Sequence, residues 1–569
     1  MSIPSPEPAP PAALEGFGET GGPDTALITR LAHELWSEIA PVLDAPGLAA
    51  PAVAPAVPAV PHGLAGAYPA STPEYAPPVH PATQPAAPAA PGGTDSGAAG
   101  ASNAHPFGEP RCDAFGRPVA SPAPVRLPHQ PAPGPESFAT PSYYFIREPA
   151  VPTPAALPAA SALSGPAFDV ESVRRDFPAL HQQVNGKPLV WLDNAATTHK
   201  PQAVIDATSR FYGRDNSNIH RAAHALAARS TDLYEGGREK VRQFLGAADA
   251  KEIIFTRGTT EAINLVANTY GQKNIGAGDE ILLTRLEHHA NIVPWQLLAQ
   301  RTGALIRVVP INDRGELILE EFVRLFSPRT RIVAVTHVSN ALGTINPVES
   351  IIAFAHARGV PVLVDGAQST PHLPINVQAL DADFFVFSGH KIFAPTGIGA
   401  LYGKAALLES LPPWQGGGHM IRDVTFERTI YQHAPEKFEA GTPDIAGVVG
   451  LGAAIDYLFK VGIPAIAAYE HALLEYATQA LATLPGLRPI GTARHKASVL
   501  SFVIPGVPNE SIAKHLDRQG IAVRAGHHCA QPAQRHFGLE STVRPSLAFY
   551  NTNAEVDALV AALHELPRK

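Results

Sequence analysis

From Pro166 onward, short apolar runs alternate with longer stretches whose apolar positions recur at helical spacing. Runs at 252–257, 280–284, 304–309, 331–336, 360–365, 383–387 and 398–402 are rich in apolar and β-branched residues and read as strands, those before Asp365 and Ser388 as buried ones. Helices are expected at 230–245, 261–270, 291–302 and 350–358. Upstream, 169–180 reads as a helix, 190–193 as a short strand, and Lys200-Pro201 leads a helix to Tyr212. Such strand–helix repetition predicts an α/β domain, 166–445, with a mainly parallel sheet covered on both faces. Past Gly450 come two long helices, strands at 498–503 and 521–524, and a helix at 509–519. Segments 546–549 (strand) and 553–566 (helix) close the chain. This tail end predicts a smaller α+β domain, 446–569.

Residues 1–165 have a different texture. They hold 34 of the chain's 58 prolines, mixed with Ala, Gly and Ser. So many helix breakers cannot support a packed core, and the expectation is a disordered Ala/Pro-rich extension. Three islands interrupt it. At 24–42, Leu27, Leu31, Leu35 and Ile39 recur every four residues behind Asp24, a candidate N-cap, which predicts a short amphipathic helix. Segments 105–119 and 137–147 carry aromatics among polar residues and prolines. All three read as short motifs that fold on a partner.

The formal charge of −8 argues against a nucleic-acid partner. No basic run followed by an apolar core stands at the N-terminus, so a secretory signal is not expected. The apolar tract at 48–60 is broken by prolines and predicts no membrane span. Two cysteines, Cys112 and Cys529, exclude a disulfide framework and a zinc site built mainly of thiolates. A reducing, cytoplasmic setting is the default.

The chemistry gathers at strand ends. Lys391 follows a buried strand directly, and a desolvated lysine loses its proton readily and can form an imine with an aldehyde. Ser388 and His390 beside it suit a phosphate, as do Thr259 and Thr260 at a Gly-Thr-Thr helix start. His288 and His289 are adjacent; paired histidines suggest a metal, but their ring vectors diverge and no third ligand follows at metal spacing. A flat His288 stacked on an aromatic cofactor fits better, and no metal site is expected. Asp365 ends a buried strand and needs a positive partner, for which a protonated pyridine nitrogen serves. Gln368 and Asn340 stand where they could reach the phenolic oxygen of the same ring. Together these groups specify pyridoxal 5′-phosphate. A second reactive group is Cys529, behind two histidines on a glycine-containing turn, where Arg524 and His528 would favour the thiolate. Arg544 suits the carboxylate of an amino-acid substrate.

The stretches LDNAATTHKP, NIHRAAHALA, TRGTTEAINLVAN, EHHANIVPWQ, THVSNALGT, VDGAQ, SGHKIFAPTGIG, FEAGTP and VRAGHHCAQP resemble the group II, SufS-type cysteine desulfurases across roughly the last 400 residues. That resemblance implies fold type I of the PLP-dependent transferases, the aspartate-aminotransferase-like fold, in a homodimer whose sites borrow residues across the interface. It implies Lys391 as the Schiff-base lysine, Cys529 as the persulfide carrier and His288 stacked on the ring. Asp365 would pair with the ring nitrogen, Gln368 and Asn340 would lie near its oxygen, and Thr259, Thr260, Ser388 and His390 would hold the phosphate. Thr442 would come from a partner subunit, and Arg544, with Asn340 and Arg524 near, would hold the carboxylate of L-cysteine. The short Arg-x-Gly-His-His-Cys form matches the short-loop group. The extension resembles that of the cysteine desulfurase cargo of family 2 encapsulins, implying a shell protein as partner and a place inside a nanocompartment. A conventional sulfur donor for iron–sulfur assembly, handing sulfur to an acceptor protein, and a selenocysteine lyase remain alternatives.

Overall fold

The computed structural model describes residues 168–220 and 224–566. The extension with its three islands, and Cys112, lie outside the described residues.

Seven strands form the central sheet: β1 Ile253–Thr256, β2 Glu280–Thr284, β3 Leu305–Val309, β4 Thr330–Thr336, β5 Val362–Asp365, β6 Phe384–Ser388 and β7 Gly399–Gly403. Their order is β1-β7-β6-β5-β4-β2-β3. All neighbours pair in parallel except β7, which runs antiparallel to both β6 and β1. Because β7 is reversed, β1 points the same way as β6. The carboxyl ends of β1, β2, β4, β5 and β6 therefore share one rim, where ligands of α/β sheets collect. Strands β1, β2, β5, β6 and β7 are buried at every position, as their unbroken apolar runs require.

Helices follow the expected places with shifted ends. Helix α1, Ala225–Leu245, begins five residues before its expected start, capped by the His224 side chain, and ends on left-handed Gly246. Helix α2, Thr259–Val266, starts straight from β1 and continues as a π-turn at Ala267–Gly271. Helices α3, Val293–Thr302, and α4, Val348–His356, cover the sheet, followed by α5, Ile445–Val461, and α6, Ile463–Ala482. A short helix at Leu319–Leu325 and an exposed hairpin, Ile421–Val424 with Thr429–Tyr431, had no clear periodic signal.

The second sheet is antiparallel, β8 Arg488–Ile490, β9 Ser501–Val503, β10 Arg524–Gly526 and β11 Thr542–Arg544, in the order β8-β9-β11-β10. Two strand expectations change here. The run at 521–524 is divided: Ile521–Ala522 pairs in parallel with Val190–Trp191, while Arg524 crosses into β10. At 546–549 only Ser546 forms bridges, to Asp193 and Val499, because Pro545 lacks the N–H that would extend β11. The core beneath this sheet joins Val190 and Leu192 to residues of α6, β9, β11 and the closing helix α7, Asn553–His564. Helix α5 packs instead on α1 and on Gln202–Arg210, so neither core follows one cut of the chain.

A buried ion pair joins the layers. The Glu439 carboxylate accepts from Arg238 Nη1 at 2.7 Å and Nη2 at 2.9 Å, from Tyr234 Oη at 2.9 Å and from the Phe255 amide at 2.7 Å. Arg238 also donates to the Ile253 carbonyl at 2.8 Å, tying α1 to β1. Both side chains are 2 % exposed. Arg238 also pairs with the part-exposed Glu235, Nε to Oε2 at 2.9 Å, so it keeps a partner without Glu439, whereas Glu439 without Arg238 would be an uncompensated buried charge. Arg238→Ala, which leaves Glu439 buried without a cation, is expected to destabilise the fold by about 3–5 kcal/mol, read from denaturant unfolding. A loss below about 1 kcal/mol would show that the pair does not bind the layers.

Candidate active site

The shared rim opens on a cavity of about 180 Å³. Thr259, Thr260, His288, Asn340, Asp365, Gln368, Ser388, His390, Lys391, Arg524, Cys529 and Arg544 all line it. Thr442 does not; it is exposed, 3.5 Å from Asn218 Oδ1 through its hydroxyl.

Each group is set by the element that delivers it. Between β1 and α2 the chain passes through Gly258 at φ 143°, a value reserved for glycine. A Cβ there would lie 3.0 Å from Ser388 Oγ, and one on Gly399 would lie 2.5 Å from the Phe387 carbonyl. The two glycines let β1, β7 and β6 converge on one point. The Thr259 amide donates to Ser388 Oγ at 2.9 Å, and Ser388 Oγ bonds Thr259 Oγ1 at 2.9 Å. Hydroxyls, His390 and an α-helix N-terminus thus form a cradle for a phosphate.

Lys391 ends the 3-10 turn after β6. Its position is enforced through its neighbour: the His390 carbonyl accepts from Thr197 and Thr198 hydroxyls at 3.1 and 3.2 Å and from Lys200 Nζ at 3.2 Å. That is the work of the NAATTHKP loop, which the sequence displayed without a role. Among the described residues Lys391 Nζ makes no hydrogen bond. Burial pulls its pKa down to about 8, Asp365 opposing and Arg544 assisting. Asp365, at the end of β5, accepts from the Ala367 amide at 2.9 Å; burial raises its pKa, against that bond and Lys391. A cationic ring N–H would supply the charge this carboxylate lacks.

His288 Nδ1 accepts from the Ala290 amide at 3.0 Å, which puts the ring proton on Nε2. Burial and the Lys391 charge lower its pKa to about 3, so the ring is neutral. Glu287, unremarked in the sequence, lies beneath. Burial raises its pKa to about 8, and it accepts from Thr284 and Asn291 side chains at 2.6 Å each.

Arg524 and Arg544 face each other directly across β10 and β11, an arrangement that repels. Asp193 resolves it, with Oδ2 3.1 Å from Arg524 Nε and Oδ1 2.9 Å from Arg544 Nη2. Two guanidinium charges against one carboxylate leave one positive charge, and Arg544 Nε is buried without a partner. The cavity therefore presents a site for a further carboxylate. Asp193 was missed as a site residue, although it stands in the LDNAATT stretch.

Three details refine the expectation. Asn340 Nδ2 donates to the His528 carbonyl at 2.6 Å, leaving one hydrogen, and its Oδ1 is buried without a partner, so it offers an acceptor beside that donor. Gln368 Nε2 donates to the Ala195 carbonyl at 2.6 Å, leaving one hydrogen for a ring oxygen. His528 brings no charge to the thiol. Its Nε2 pairs with Thr542 Oγ1 at 2.9 Å, and burial beside Arg544 lowers its pKa to about 2. Positive charge near Cys529 comes from the arginines and Lys391 instead. His528 and Cys529 both adopt left-handed φ, 51° and 53°, which costs non-glycine residues about 1–2 kcal/mol each. That strained turn brings the thiol to the cavity.

Residues 190–559 match the family Aminotransferase class-V. The chain belongs to the class-V aminotransferase family. It is 63% identical over 399 residues to a cysteine desulfurase of Synechococcus elongatus, covering 70% of this chain and 64% of that protein. A probable cysteine desulfurase of Vibrio cholerae is 51% identical over 398 residues, covering 70% of this chain and 98% of that protein. The solved cysteine desulfurase CsdA (S-sulfonic acid) from Escherichia coli aligns with a TM-score of 0.66 at 45% identity, over 70% of this chain and 98% of that one. The first curated relatives are spanned over less than two thirds of their own length. The fold is fold type I of the PLP-dependent enzymes, and the cofactor is pyridoxal 5′-phosphate. The cradle, Asp365, neutral His288 and the free amine of Lys391 fit it.

Covalent attachment of the cofactor to the apoprotein requires the neutral amine. With a pKa about 8, roughly one Lys391 in ten is neutral at pH 7, against about one in three thousand for an unshifted lysine. The attachment rate, followed by visible absorbance, is expected to rise with pH, reach half its maximum near pH 8 and then level off. A rate still climbing tenfold per pH unit at pH 9–10 would show that the amine is not depressed.

Proposed function

We propose that this chain is a cysteine desulfurase that converts L-cysteine to L-alanine and leaves the sulfur on Cys529 as a persulfide. The observation that carries this reading is that Cys529 and Lys391 line one cavity. An aminotransferase needs no thiol there.

Arg544 and Arg524, with their surplus positive charge, bind the substrate carboxylate. When bound, the cofactor withdraws electrons from the substrate's Cα, weakening the bonds around it. Lys391 takes the Cα proton, and His288, holding a proton on Nε2, assists its movement. The Cys529 thiolate attacks the substrate sulfur: an S–S bond forms and the C–S bond breaks, the electron pair left on Cβ takes up the proton given by the substrate thiol, and Lys391 returns the proton to Cα, giving alanine and the persulfide anion.

The finer assignment is to the group II, SufS type. It is supported by the short link between β10 and Cys529, only His527 and His528 intervening. A homodimer is proposed with it, Thr442 serving the partner's phosphate and the exposed hairpin, with Val424 and Phe426 uncovered, facing the partner. Residues 1–165 are proposed to load the enzyme as cargo into an encapsulin shell in the cytoplasm, for sulfur storage or metabolism. Their proline-rich composition, with three islands suited to weak multivalent docking, supports this. Supply of sulfur to an acceptor protein for iron–sulfur assembly uses the same catalytic chemistry.

Cys529→Ala is expected to lower alanine formation at least about a hundredfold while keeping the cofactor's visible band; full turnover would refute the thiol's role. Lys391→Ala is expected to lose that band. Deleting residues 1–165 is expected to leave turnover within about twofold but to abolish co-purification with a co-expressed shell on size separation. Packaging of the shortened chain would refute the cargo reading.

A further inference from the structure

The paired histidines at 288 and 289 lack a third metal ligand nearby in sequence, but the fold supplies two from far away. His289 Nδ1 or Nε2, a ring nitrogen of His527 and Cys529 Sγ lie within 4.8 Å of one another. We propose that these three side chains form a binding site for a thiophilic closed-shell cation, with Zn²⁺ as its representative, at the mouth of the cavity.

Two nitrogens and a sulfur are the donor set of three-ligand zinc sites that keep a fourth position open. Around tetrahedral zinc such donors stand about 3.3–3.6 Å apart, so an inward movement of about an ångström closes the set. The backbone already holds the two turns together: the His289 amide donates to the Cys529 carbonyl at 2.8 Å. The His289 and His527 rings are 5.7 Å apart and tilted by 30°. Their lone pairs are lightly used. His527 Nδ1 accepts from the Cys529 amide at 3.0 Å, and His289 Nε2 from the Gln531 amide at 3.4 Å. Both are neutral hydrogen bonds, weak beside a metal–thiolate bond. His527 is exposed and the other two are half-buried, so a cation enters from solvent. Binding replaces the thiol proton with the metal, and the proton leaves to water; nothing is oxidised or reduced.

Only Cys529 of the three lines the cavity. A cation held there removes the thiol from the reaction without touching Lys391 or the cofactor cradle, making the site a reversible block. The blocking role rests on the function proposed above; the binding does not.

The test uses full-length holoenzyme without substrate, titrated with Zn²⁺ against a chromophoric chelator. One equivalent is expected to bind, with affinity reduced at least tenfold in each of His289→Ala, His527→Ala and Cys529→Ala, and unchanged in Cys112→Ser. Unchanged affinity in either histidine variant, or an equal loss in Cys112→Ser, overturns the site. The visible cofactor band confirms that each variant is folded; where alanine loses it, His289→Asn or His527→Gln takes its place. Independently, one equivalent of Zn²⁺ is expected to slow alkylation of Cys529 by iodoacetamide at least tenfold, read by peptide mass, and this protection is to vanish in His527→Ala. Undiminished alkylation also overturns the proposal. Zinc binding without desulfurase turnover would sink the function and leave the site. Turnover without zinc binding would do the reverse.

Discussion

The site is governed by the gathering of like charge in a place with little water. Lys391, Arg524 and Arg544 converge on one cavity; Lys391 and Arg544 would each be costly there alone, while Arg524 reaches in from the exposed side. Asp193 compensates the two arginines, Asp365 faces the amine, and neither pairing neutralises the whole. The uncompensated remainder is what gives the cavity an appetite for anions. Phosphate, carboxylate and thiolate are three answers to one electrostatic demand. The depressed lysine is part of the same balance, since giving up its proton also relieves it.

Much of this was legible in the chain. Strands with unbroken apolar runs, such as 362–364 before Asp365, declare themselves because both faces are buried. Site residues at strand ends, Asp365 and Lys391 among them, were visible because a charged group beside such a run is costly to bury unless the site pairs or uses it. What stayed hidden depended on pairing rather than on type. Arg524 opposite Arg544 is a fact of register, and Asp193 between them follows only from the parallel pairing of Val190–Trp191 with Ile521–Ala522. The neutrality of His528 follows from its bond to Thr542 and its burial, neither of which the motif displays. His527 and Cys529, which stand beside His289, lie on a turn some 240 residues away, so no spacing within one segment displays them.

Two glycines stand where strands must nearly touch. Gly258 and Gly399 remove side chains at the point where β1, β7 and β6 close around the phosphate cradle. At Cys529 the opposite choice is made: two residues with side chains are held in a glycine-like conformation because one of them carries the sulfur. Permissive backbone builds the cradle, and strained backbone presents the reagent.

The parallel pairing of Val190–Trp191 with Ile521–Ala522 also has a bearing on folding. Arg544 of strand β11 stands 351 residues along the chain from Asp193. Contacts of such separation close late, so the large sheet forms ahead of the arginine clamp and of the turn that carries Cys529.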